Sequence, residues 1–494
     1  MKERVAFIHE QGEGVDPQLL KLSTTGIQGP SIQAARQDRL NIAYEELPLE
    51  VKEVLYDAVR VEVKWASSDG HQTTDPLTAR ISPGLHAWYS TRKGGKDISH
   101  DVCKLLQAFG PLDCNSQEVF TSVHSTDASE DTFYFYSHLE SLGEFAVSAT
   151  SHLCTGSDVQ CRGRLASLSS ASSLDLSFDS SLKQAKLSAL WPVAERSISV
   201  QKSKAERSEV GVMGLDKPPQ LEPHELGISG VLAYAGEKKD PSAVLFAFPA
   251  RHRRSVGSFS AEFVQPTGLH PTLRLSLSAN ESVRQDGRDG CRPYVYLTLP
   301  KSIFADRYQL ADALFLASKN LTASPYTSLP VDLEAPAYTT KAWGSSVLLE
   351  LLKPKENTDW TAEVPLHLRY LEPSETGKRL VELPYPAVFW ACKAAQDVDF
   401  STSPFDRSHL GYDGLFEPHT VFWHVNPQAV SGTRLTSALT VPVLQQGFES
   451  YIAAGTSAVI VLGFSWVLWK LVSGFVSHGY QNPNSAVPSK KKTK

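Results

Sequence analysis

The segment LRLSLS, from Leu273 to Ser278, decides the fold class, because its three leucines alternate strictly with polar residues. A strand with one buried face and one solvated face has this period of two. Other strand-like runs are AVLFAF at 243–248, YVYLTL at 294–299, VLLELL at 347–352 and VPLHLRY at 364–370. Proline and glycine separate these runs, and Gln309–Lys319 is the one helical stretch among them. The pattern predicts a mainly β protein with antiparallel, β-sandwich-like domains.

The first half of the chain is more heterogeneous. Val51–Trp65 joins helical spacing to a strand-like end, and the residues at 133–136 and 174–178 have the pattern of strands. We therefore expect a mixed α/β or β-rich region over 1–200 and a separate β-rich domain over 226–445. The charged segment 201–225 contains Pro218, Pro219 and Pro223. It predicts a linker, since proline interrupts regular backbone pairing.

The overall composition limits the class of protein. The chain has 494 residues, of which 41% are hydrophobic and 21% charged, so two or three domains with buried cores are expected. Its net charge of -6 argues against a nucleic-acid partner, which would require a surplus of Lys and Arg. A mean hydropathy of -0.21 excludes a polytopic membrane protein.

One segment departs from this average. Tyr451–Trp469 reads YIAAGTSAVIVLGFSWVLW and contains no charged residue. As a helix, nineteen residues cover about 28 Å, close to the hydrocarbon thickness of a bilayer. Trp466 and Trp469 lie near one end, where indole rings favour the headgroup region. We predict a transmembrane helix over 449–476 rather than a buried core helix.

Flanking charges predict the orientation of this helix. Glu449 precedes it, whereas Lys470 and the lysines of the tail follow it. The positive-inside rule therefore places the tail, 477–494, in the cytosol and the bulk of the chain in a lumen. The N-terminus MKERVAFIHEQGEG lacks the apolar core of a cleavable signal peptide, so the route of translocation is not evident from the sequence.

Short motifs point to the endoplasmic reticulum. Asn280-Glu281-Ser282 and Asn320-Leu321-Thr322 are glycosylation sequons, which predict sugars at Asn280 and Asn320. Lys491 and Lys492 lie four and three positions from the end of the printed sequence, the dilysine pattern of a retrieval signal. A solvated basic tail is the simpler alternative for these lysines. With the span, these motifs favour a single-pass membrane protein of the endoplasmic reticulum.

The six cysteines permit three disulfides in an oxidising lumen. Pairing within each half of the chain is the simplest arrangement, and buried thiols are the alternative. No C-x-x-C pair is present, which argues against redox-enzyme and zinc-ribbon functions. The residues are Cys103, Cys114, Cys154, Cys161, Cys291 and Cys392.

Catalytic motifs do not rise above background. The sequence has no G-x-S-x-G, H-E-x-x-H or G-x-x-x-x-G-K-[ST] pattern. Asp397-Val398-Asp399 matches the D-x-D of metal-dependent sugar transferases, but a surface loop is the better interpretation. The basic run at 251–254 fits a solvated turn better than a lipid contact, and His419 and His424 fit no known metal-site spacing. We predict no catalytic residue, no metal ligand and no cofactor.

Several ordered motifs between Gly268 and Lys393 carry a family resemblance. They are GLHPTL at 268–273, CRPYVYL at 291–297 with LP at 299–300, IFADRYQL at 303–310, DLEAPAY at 332–338, VPLHLRYLEP at 364–373 and PYPAVFWAC at 384–392. With them, the chain resembles the PIG-X family of endoplasmic-reticulum membrane proteins, including its fungal members. His367 and Arg369 are expected to face solvent from one strand, and Cys291 and Cys392, both in motif blocks, are expected to join two strands.

The resemblance implies a non-catalytic accessory subunit. Proteins of this family stabilise the polytopic catalytic subunit, PIG-M, of glycosylphosphatidylinositol (GPI) mannosyltransferase I. That enzyme adds the first mannose, from dolichol-phosphate-mannose, to the GPI-anchor precursor. The implied partners are this subunit and the lipid of the endoplasmic-reticulum membrane.

Two other classes of function stay open at this point. One is a lumenal glycosidase or protease anchored by its tail, and the other is a membrane chaperone that acts on many clients. Turnover of a glycan or peptide by the lumenal part would favour the first alternative. Recovery of diverse unfolded glycoproteins with the chain would favour the second.

Overall fold

The computed structural model describes residues 1–10, 15–123, 128–154, 158–203, 207–217, 220–222, 224–237, 240–278, 290–329, 332–353, 358–395 and 397–478. Strands make up most of its regular structure, which confirms the predicted fold class. The chain divides into two compact units. The first is Met1–Tyr370 with Val381–Leu439, and the second is Leu371–Leu380 with Thr440–Lys494.

A first sheet is built from the strands of the first half of the chain. Within the described residues it has twelve strands in the order β12-β11-β10-β1-β3-β9-β8-β4-β5-β7-β6, with β2 paired to β3. Their bounds are β1 Lys2–His9, β2 Lys21–Ser23, β3 Gly26–Ala43, β4 Arg60–Ala66, β5 Gly84–Arg92, β6 Thr121–Val123, β7 Glu130–Ser137, β8 Ser173–Asp179, β9 Gln184–Gln201, β10 Arg207–Asp216, β11 Glu225–Tyr234 and β12 Ser242–Pro249.

The linker predicted over 201–225 is corrected by this sheet, because β10 lies within it. β10 pairs in parallel with β1, from Lys2 opposite Arg207 to His9 opposite Gly214. Val210 and Val212 of β10 are each only 2% exposed and pack in the core of the sheet. The charged residues around this alternation concealed it in the sequence. The prolines on which the linker prediction rested lie outside the described residues.

A second sheet is built from the later half. Over the described part of the chain it has eight strands in the order β17-β18-β15-β22-β23-β13-β14-β19, while β16 pairs with β20 and β21 with β24. The bounds are β13 His252–Phe263, β14 Thr272–Leu277, β15 Arg292–Pro300, β16 Ile303–Phe304, β17 Leu321–Thr327, β18 Gly344–Leu351, β19 Trp360–Pro365, β20 His367–Leu368, β21 Lys378–Pro384, β22 Ala387–Lys393, β23 Thr420–Pro427 and β24 Thr436–Pro442.

The alternation at 273–278 behaves as predicted, since Leu273, Leu275 and Leu277 are 0%, 0% and 3% exposed. The sheets are nevertheless mixed rather than purely antiparallel. β1 runs parallel to β10, and β13 runs parallel to β23. Both parallel pairs join strands more than 150 residues apart. Local alternation sets which residues of a strand are buried but does not choose such distant neighbours.

Among the residues that the structure describes, the helices are few and mostly short. They are α1 Leu49–Leu55, α2 Ser99–Leu106, α3 Gly143–Leu153, α4 Val159–Ser167, α5 Ala313–Ser318 and α6 Glu449–His478. The predicted helix at Gln309–Lys319 is split into a 3-10 turn, Gln309–Ala311, and α5. Asp312 separates the two and caps α5, since its carboxylate accepts the N–H groups of Leu314 and Phe315 at 2.9 and 3.2 Å.

Trp343 joins the two sheets of the first unit. It directly precedes β18 of the second sheet, yet its indole Nε1 donates to the carbonyl oxygen of Tyr134 in β7 at 2.9 Å. Its ring packs edge-on against Tyr134 and Tyr136, with ring centroids 4.9 and 5.6 Å apart. Because Trp343 is 7% exposed, this contact buries a large aromatic surface between elements of the two halves.

A partly buried ion pair makes a second connection between the halves. Nε and Nη2 of Arg407, one edge of its guanidinium, donate to the two carboxylate oxygens of Asp175 in β8, each at 2.7 Å. Nη1 of Arg407 donates to the carbonyl oxygen of Ala79. The side chains of Arg407 and Asp175 are 15% and 17% exposed. Burial by itself would raise the pKa of Asp175, but Arg407 and Lys64 outweigh it and hold that pKa below its usual range.

All six cysteines are paired in the structure. Cys103 joins Cys114 and Cys154 joins Cys161, both close in sequence. The third disulfide joins Cys291, just before β15, to Cys392 in the neighbouring strand β22, with a Cα–Cα distance of 4.3 Å. Its two cysteines are 101 residues apart in sequence, so this crosslink restricts the unfolded chain more than the other two, which span 11 and 7 residues.

His86 is a buried neutral histidine in β5. Its Nε2 donates to the carbonyl oxygen of Ser82 at 2.8 Å, so its Nδ1 accepts the hydroxyl proton of Tyr134, also at 2.8 Å. Burial lowers the pKa of His86 to about 4. In the unfolded chain the imidazole regains a pKa of about 6.5.

The ion pair predicts an asymmetric response to substitution. We expect Arg407→Leu to lower the free energy of unfolding by about 3 kcal/mol, because Asp175 is left buried and unpaired. Lys393→Leu breaks an exposed ion pair with Glu417 and should cost less than about 1 kcal/mol. Urea unfolding of the full chain in detergent measures the free energy of unfolding of both variants. A double variant, Arg407→Leu with Asp175→Leu, should recover at least half of the loss, and equal costs for Arg407→Leu and Lys393→Leu would contradict the assigned role.

His86 predicts acid sensitivity. Its folded pKa is depressed, so the stability it contributes is present above about pH 6.5 and is lost as the pH falls toward about 4. From about pH 7.5 to about pH 5 we expect about 2 kcal/mol of this loss from His86 alone. Unfolding at both pH values should show a smaller loss in His86→Gln than in the unchanged chain. The control is His100→Gln, at an exposed histidine. If His86→Gln lost as much unfolding free energy between the two pH values as His100→Gln, His86 would not be the source of the acid sensitivity.

Candidate interaction site

The motif blocks of the sequence converge in space. We call the segments 268–273, 303–310, 332–338 and 364–370 the motif cluster. β16 pairs with β20, with Ile303 opposite Leu368 and Phe304 opposite His367. Backbone hydrogen bonds add Leu366 N–H to the Pro271 carbonyl oxygen and Leu368 N–H to the Leu269 carbonyl oxygen, both at 2.9 Å. Segments distant in the sequence are thus held in one place by main-chain contacts.

His367 lies at the centre of the motif cluster rather than in solvent. Its Nε2 donates to Oε1 of Gln309 at 3.2 Å, so its Nδ1 accepts a proton from Nδ1 of His270 at 2.9 Å. Its ring stacks on Phe304, with centroids 5.3 Å apart. Burial, and then the neighbouring His270, lower the pKa of His367. The prediction of a solvent-facing His367 is therefore corrected.

Arg369 is also buried, at 6% exposure. Its Nη1 donates to the carbonyl oxygen of Ala335 at 2.7 Å, and its guanidinium lies 4.5 Å from the ring centroid of Phe304. The expectation that it shares a solvated strand face with His367 fails because β19 ends at Pro365. The chain then bends into the short strand β20. The alternation of apolar and polar residues continues from β19 into β20, but the two strands do not form one continuous strand with a shared solvated face.

The polar groups of the motif cluster thus bind one another, whereas apolar side chains on its segments remain exposed. The exposed ones are Leu269, Tyr308, Tyr338 and Tyr370, at 50%, 65%, 55% and 66%. We call these four residues the apolar rim. Large exposed side chains around a rigid, internally satisfied cluster are typical of a protein interaction surface.

The second unit contains α6. It includes a candidate membrane span over Gln446–Ser477, by length and composition. Its side chains are almost all exposed, as a helix in contact with lipid or with a partner helix requires. The ammonium of Lys470 lies 5.0 and 5.2 Å from the rings of Trp466 and Trp469. Indole rings beside a cation are typical of the end of a span at the membrane interface.

Of the other predicted site residues, the structure describes Asn320, whereas Asn280, Lys491 and Lys492 lie outside the described residues. Asn320 is exposed two residues after the end of α5, at a φ of 56°. Its Nδ2 donates to the carbonyl oxygen of Thr361 at 2.8 Å. A sugar on Nδ2 leaves one amide hydrogen, which is sufficient to keep this bond.

The D-x-D pattern at 397–399 has a local structural role. Asp399 accepts the N–H of Ser401 at 3.0 Å and so caps the 3-10 turn Phe400–Thr402. Val398 between the two carboxylates is buried at 7% exposure. Asp399 is thus used as a cap, which agrees with the interpretation as a surface loop.

A buried histidine pair is a feature that the sequence patterns missed. Nδ1 of His252 lies 2.9 Å from Nε2 of His424 across β13 and β23, among aromatic rings. Burial holds the pKa of His252 well below its usual range and lowers that of His424 to about 3, so both are neutral. The basic run at 251–254 is accordingly the start of β13 and not a solvated turn. Only the parallel pairing of β13 with β23, not visible in local sequence, brings the rings together.

One cluster among the described residues has the geometry to hold a cation. His138, Glu140 and Glu382 each place a ligand atom within 4.8 Å of the others. Arg434 already forms an ion pair with Glu140. A bound metal ion would therefore compete with that guanidinium, and we assign no metal site to this cluster.

Comparison with known proteins completes this picture. A family model described as PIG-X / PBN1 matches residues 266–472, which include the motif cluster and most of α6. Protein PBN1 of Gibberella zeae is 48% identical over 476 residues, or 96% of each chain. Protein pbn1 of Neurospora crassa is 46% identical over 98% of each chain, and that of Emericella nidulans is 35% identical over 99% of each chain. Because these similarities extend over nearly the whole sequence, the chain belongs to the PIG-X/PBN1 family.

Proposed function

We propose that this chain is a non-catalytic subunit of GPI mannosyltransferase I. It stabilises the polytopic, PIG-M-type catalytic subunit, which transfers the first mannose from dolichol-phosphate-mannose during GPI-anchor biosynthesis. The observation that carries this proposal is the motif cluster. The residues that mark the family meet where His367 and Arg369 are bound by neighbouring protein groups and where apolar side chains are exposed. This arrangement supports a docking surface rather than a reaction centre.

The proposed location is the membrane of the endoplasmic reticulum. α6 crosses the membrane once, the first unit lies in the lumen, and the tail after His478 lies in the cytosol. Lys470 at the cytosolic side and the further lysines of the tail support this orientation. Lys491 and Lys492 form the proposed retrieval signal. A lumenal first unit also accounts for three disulfides, which persist in an oxidising compartment.

The proposed mechanism of stabilisation has two parts. In the membrane, α6 packs beside the helices of the partner, and Ala453, Ala454, Gly455 and Ser457 permit close approach. In the lumen, the apolar rim covers lumenal loops of the partner. Tyr308 and Tyr370 are the main anchors, because they are the most exposed tyrosines of the apolar rim. A tyrosine ring buries much apolar area and keeps its hydroxyl hydrogen-bonded.

The apolar rim is tested by paired substitutions in cells. Tyr308→Ser with Tyr370→Ser should lower the steady-state level of the catalytic subunit several-fold, because an uncovered membrane protein is degraded. The control is Tyr56→Ser, whose side chain is 80% exposed and lies outside the motif cluster. Quantitative immunoblotting measures the catalytic subunit, and thermal unfolding should show that each variant chain is as stable as the parent. A normal level of the catalytic subunit with failed mannosylation would reject stabilisation.

The orientation is tested in sealed microsomes. Added protease should remove the tail after His478 and leave the first unit intact, because the bilayer shields it.

The glycans give a second test of the lumenal location. Asn320→Gln should remove one glycan, and Asn280→Gln another, and each loss is measured as a shift in electrophoretic mobility before and after glycosidase treatment. Non-reducing peptide mapping should recover Cys291 joined to Cys392. Digestion of the first unit in sealed vesicles would place it in the cytosol and contradict the proposed topology.

A further inference from the structure

Six polar side chains share one face of the first sheet. They are Lys2 and Arg4 on β1, Asn41 and Arg39 opposite them on β3, and Arg207 and Glu209 opposite them on β10. Directly opposed residues of neighbouring strands point to the same side of a sheet. The segment from Ser401 to Pro404 forms the facing wall, and a cleft of 380 Å³ lies between them. We call this space the basic cleft.

Two arginines meet at a single neutral acceptor in the basic cleft. Nη2 of Arg4 and Nη1 of Arg39 both donate to the carbonyl oxygen of Pro404, at 2.6 and 2.9 Å. Arg4 also lies over the ring of Phe405, 5.3 Å from its centroid, and Nε of Arg39 is 3.3 Å from Oδ1 of Asn41. Burial, and then the adjacent charge of Arg4, lower the pKa of Arg39 to about 10. The two like charges therefore destabilise each other here.

The carboxylates nearby offset this pair only in part: burial lowers the pKa of Arg4 overall and outweighs Glu209, which acts to raise that pKa. Glu3 points away and is bound by Arg164 and by the hydroxyls of Ser203 and Ser208, each hydroxyl at 2.6 Å. Glu209 lies 3.9 Å from Arg207 at the rim. Over the ranges of the chain that the structure describes, no carboxylate oxygen lies within 4.0 Å of the guanidinium nitrogens of Arg4 or Arg39.

We propose that the basic cleft binds the phosphate group of a ligand. A phosphate oxygen placed beside Pro404 accepts N–H groups from Arg4 and Arg39, whose planar donors match phosphate geometry. Lys2 and Arg207 add positive charge at the rim, and the volume admits a headgroup or a small phosphate ester. The strands that carry its charged residues lie outside the part of the chain that the family model matches, whereas the wall Ser401–Pro404 lies inside it. The site goes beyond the proposed function. The phosphate belongs to a phospholipid headgroup or to a soluble phosphate compound.

Titration calorimetry on the full chain in uncharged detergent separates these two sources. One arm uses inorganic phosphate, and the other uses glycerophosphoglycerol, the deacylated headgroup of an anionic phospholipid, both at constant ionic strength. Saturable binding of either probe is expected. Tighter binding of glycerophosphoglycerol assigns a lipid headgroup, and tighter binding of inorganic phosphate assigns a soluble ligand. Saturable binding of neither probe overturns the proposal.

Matched variants locate the binding. Arg4→Gln and Arg39→Gln should each weaken it about tenfold, the effect of one charge-assisted hydrogen bond. A rim variant, Lys2→Gln with Arg207→Gln, should weaken it about threefold and reduce its salt dependence, and it decides the question if the buried-arginine variants fail to fold. The control is Lys21→Gln with Lys301→Gln, which removes the same charge from exposed positions elsewhere. Equal weakening in the rim and control variants would refute a site in this cleft.

Discussion

The ion pair between Arg407 and Asp175 ties the later half of the chain to the first sheet. Arg407 belongs to a loop of the later half of the chain, whereas Asp175 belongs to β8 of the first sheet. Their charges are largely removed from water, so each is tolerable only while the other is in place. Trp343 makes a second, apolar connection between the same halves. Together these contacts explain why two sheets formed from separate parts of the sequence belong to one compact unit.

The motif cluster is formed by the edge of the second sheet and the β16–β20 pair. β14 and β19 carry the segments that meet around β20 at one end of the second sheet. His367 and Arg369 hold these segments together through hydrogen bonds and contacts with Phe304. The exposed tyrosines are therefore presented by a rigid framework, which lowers the entropy lost when a partner binds. The family motifs and the proposed interaction surface thus coincide in one region, and this supports the proposed accessory role.

Local patterns predicted strands well and long-range pairings poorly. The buried leucines at 273–277 confirm the predicted strand, because burial of one face imposes a period that is readable within a few residues. The apolar run at 451–469 lies in a helix that is a candidate membrane span by length and composition. The strand β10 was missed, since charged neighbours conceal its two buried valines. The convergence of His270, Phe304 and His367 depends on pairings across almost one hundred residues, which periodicity does not contain. The motif blocks marked these residues, but their mutual contacts appear only in the fold.

The most direct test of the accessory role is the composition of the complex that surrounds the full chain in its membrane. Mild-detergent purification from microsomes, followed by quantitative mass spectrometry, measures which proteins accompany it and in what ratio. The proposed function predicts a single multi-span mannosyltransferase, present in equal amount to this chain. Recovery of the chain alone, or with many unrelated unfolded glycoproteins and no such transferase, would contradict it.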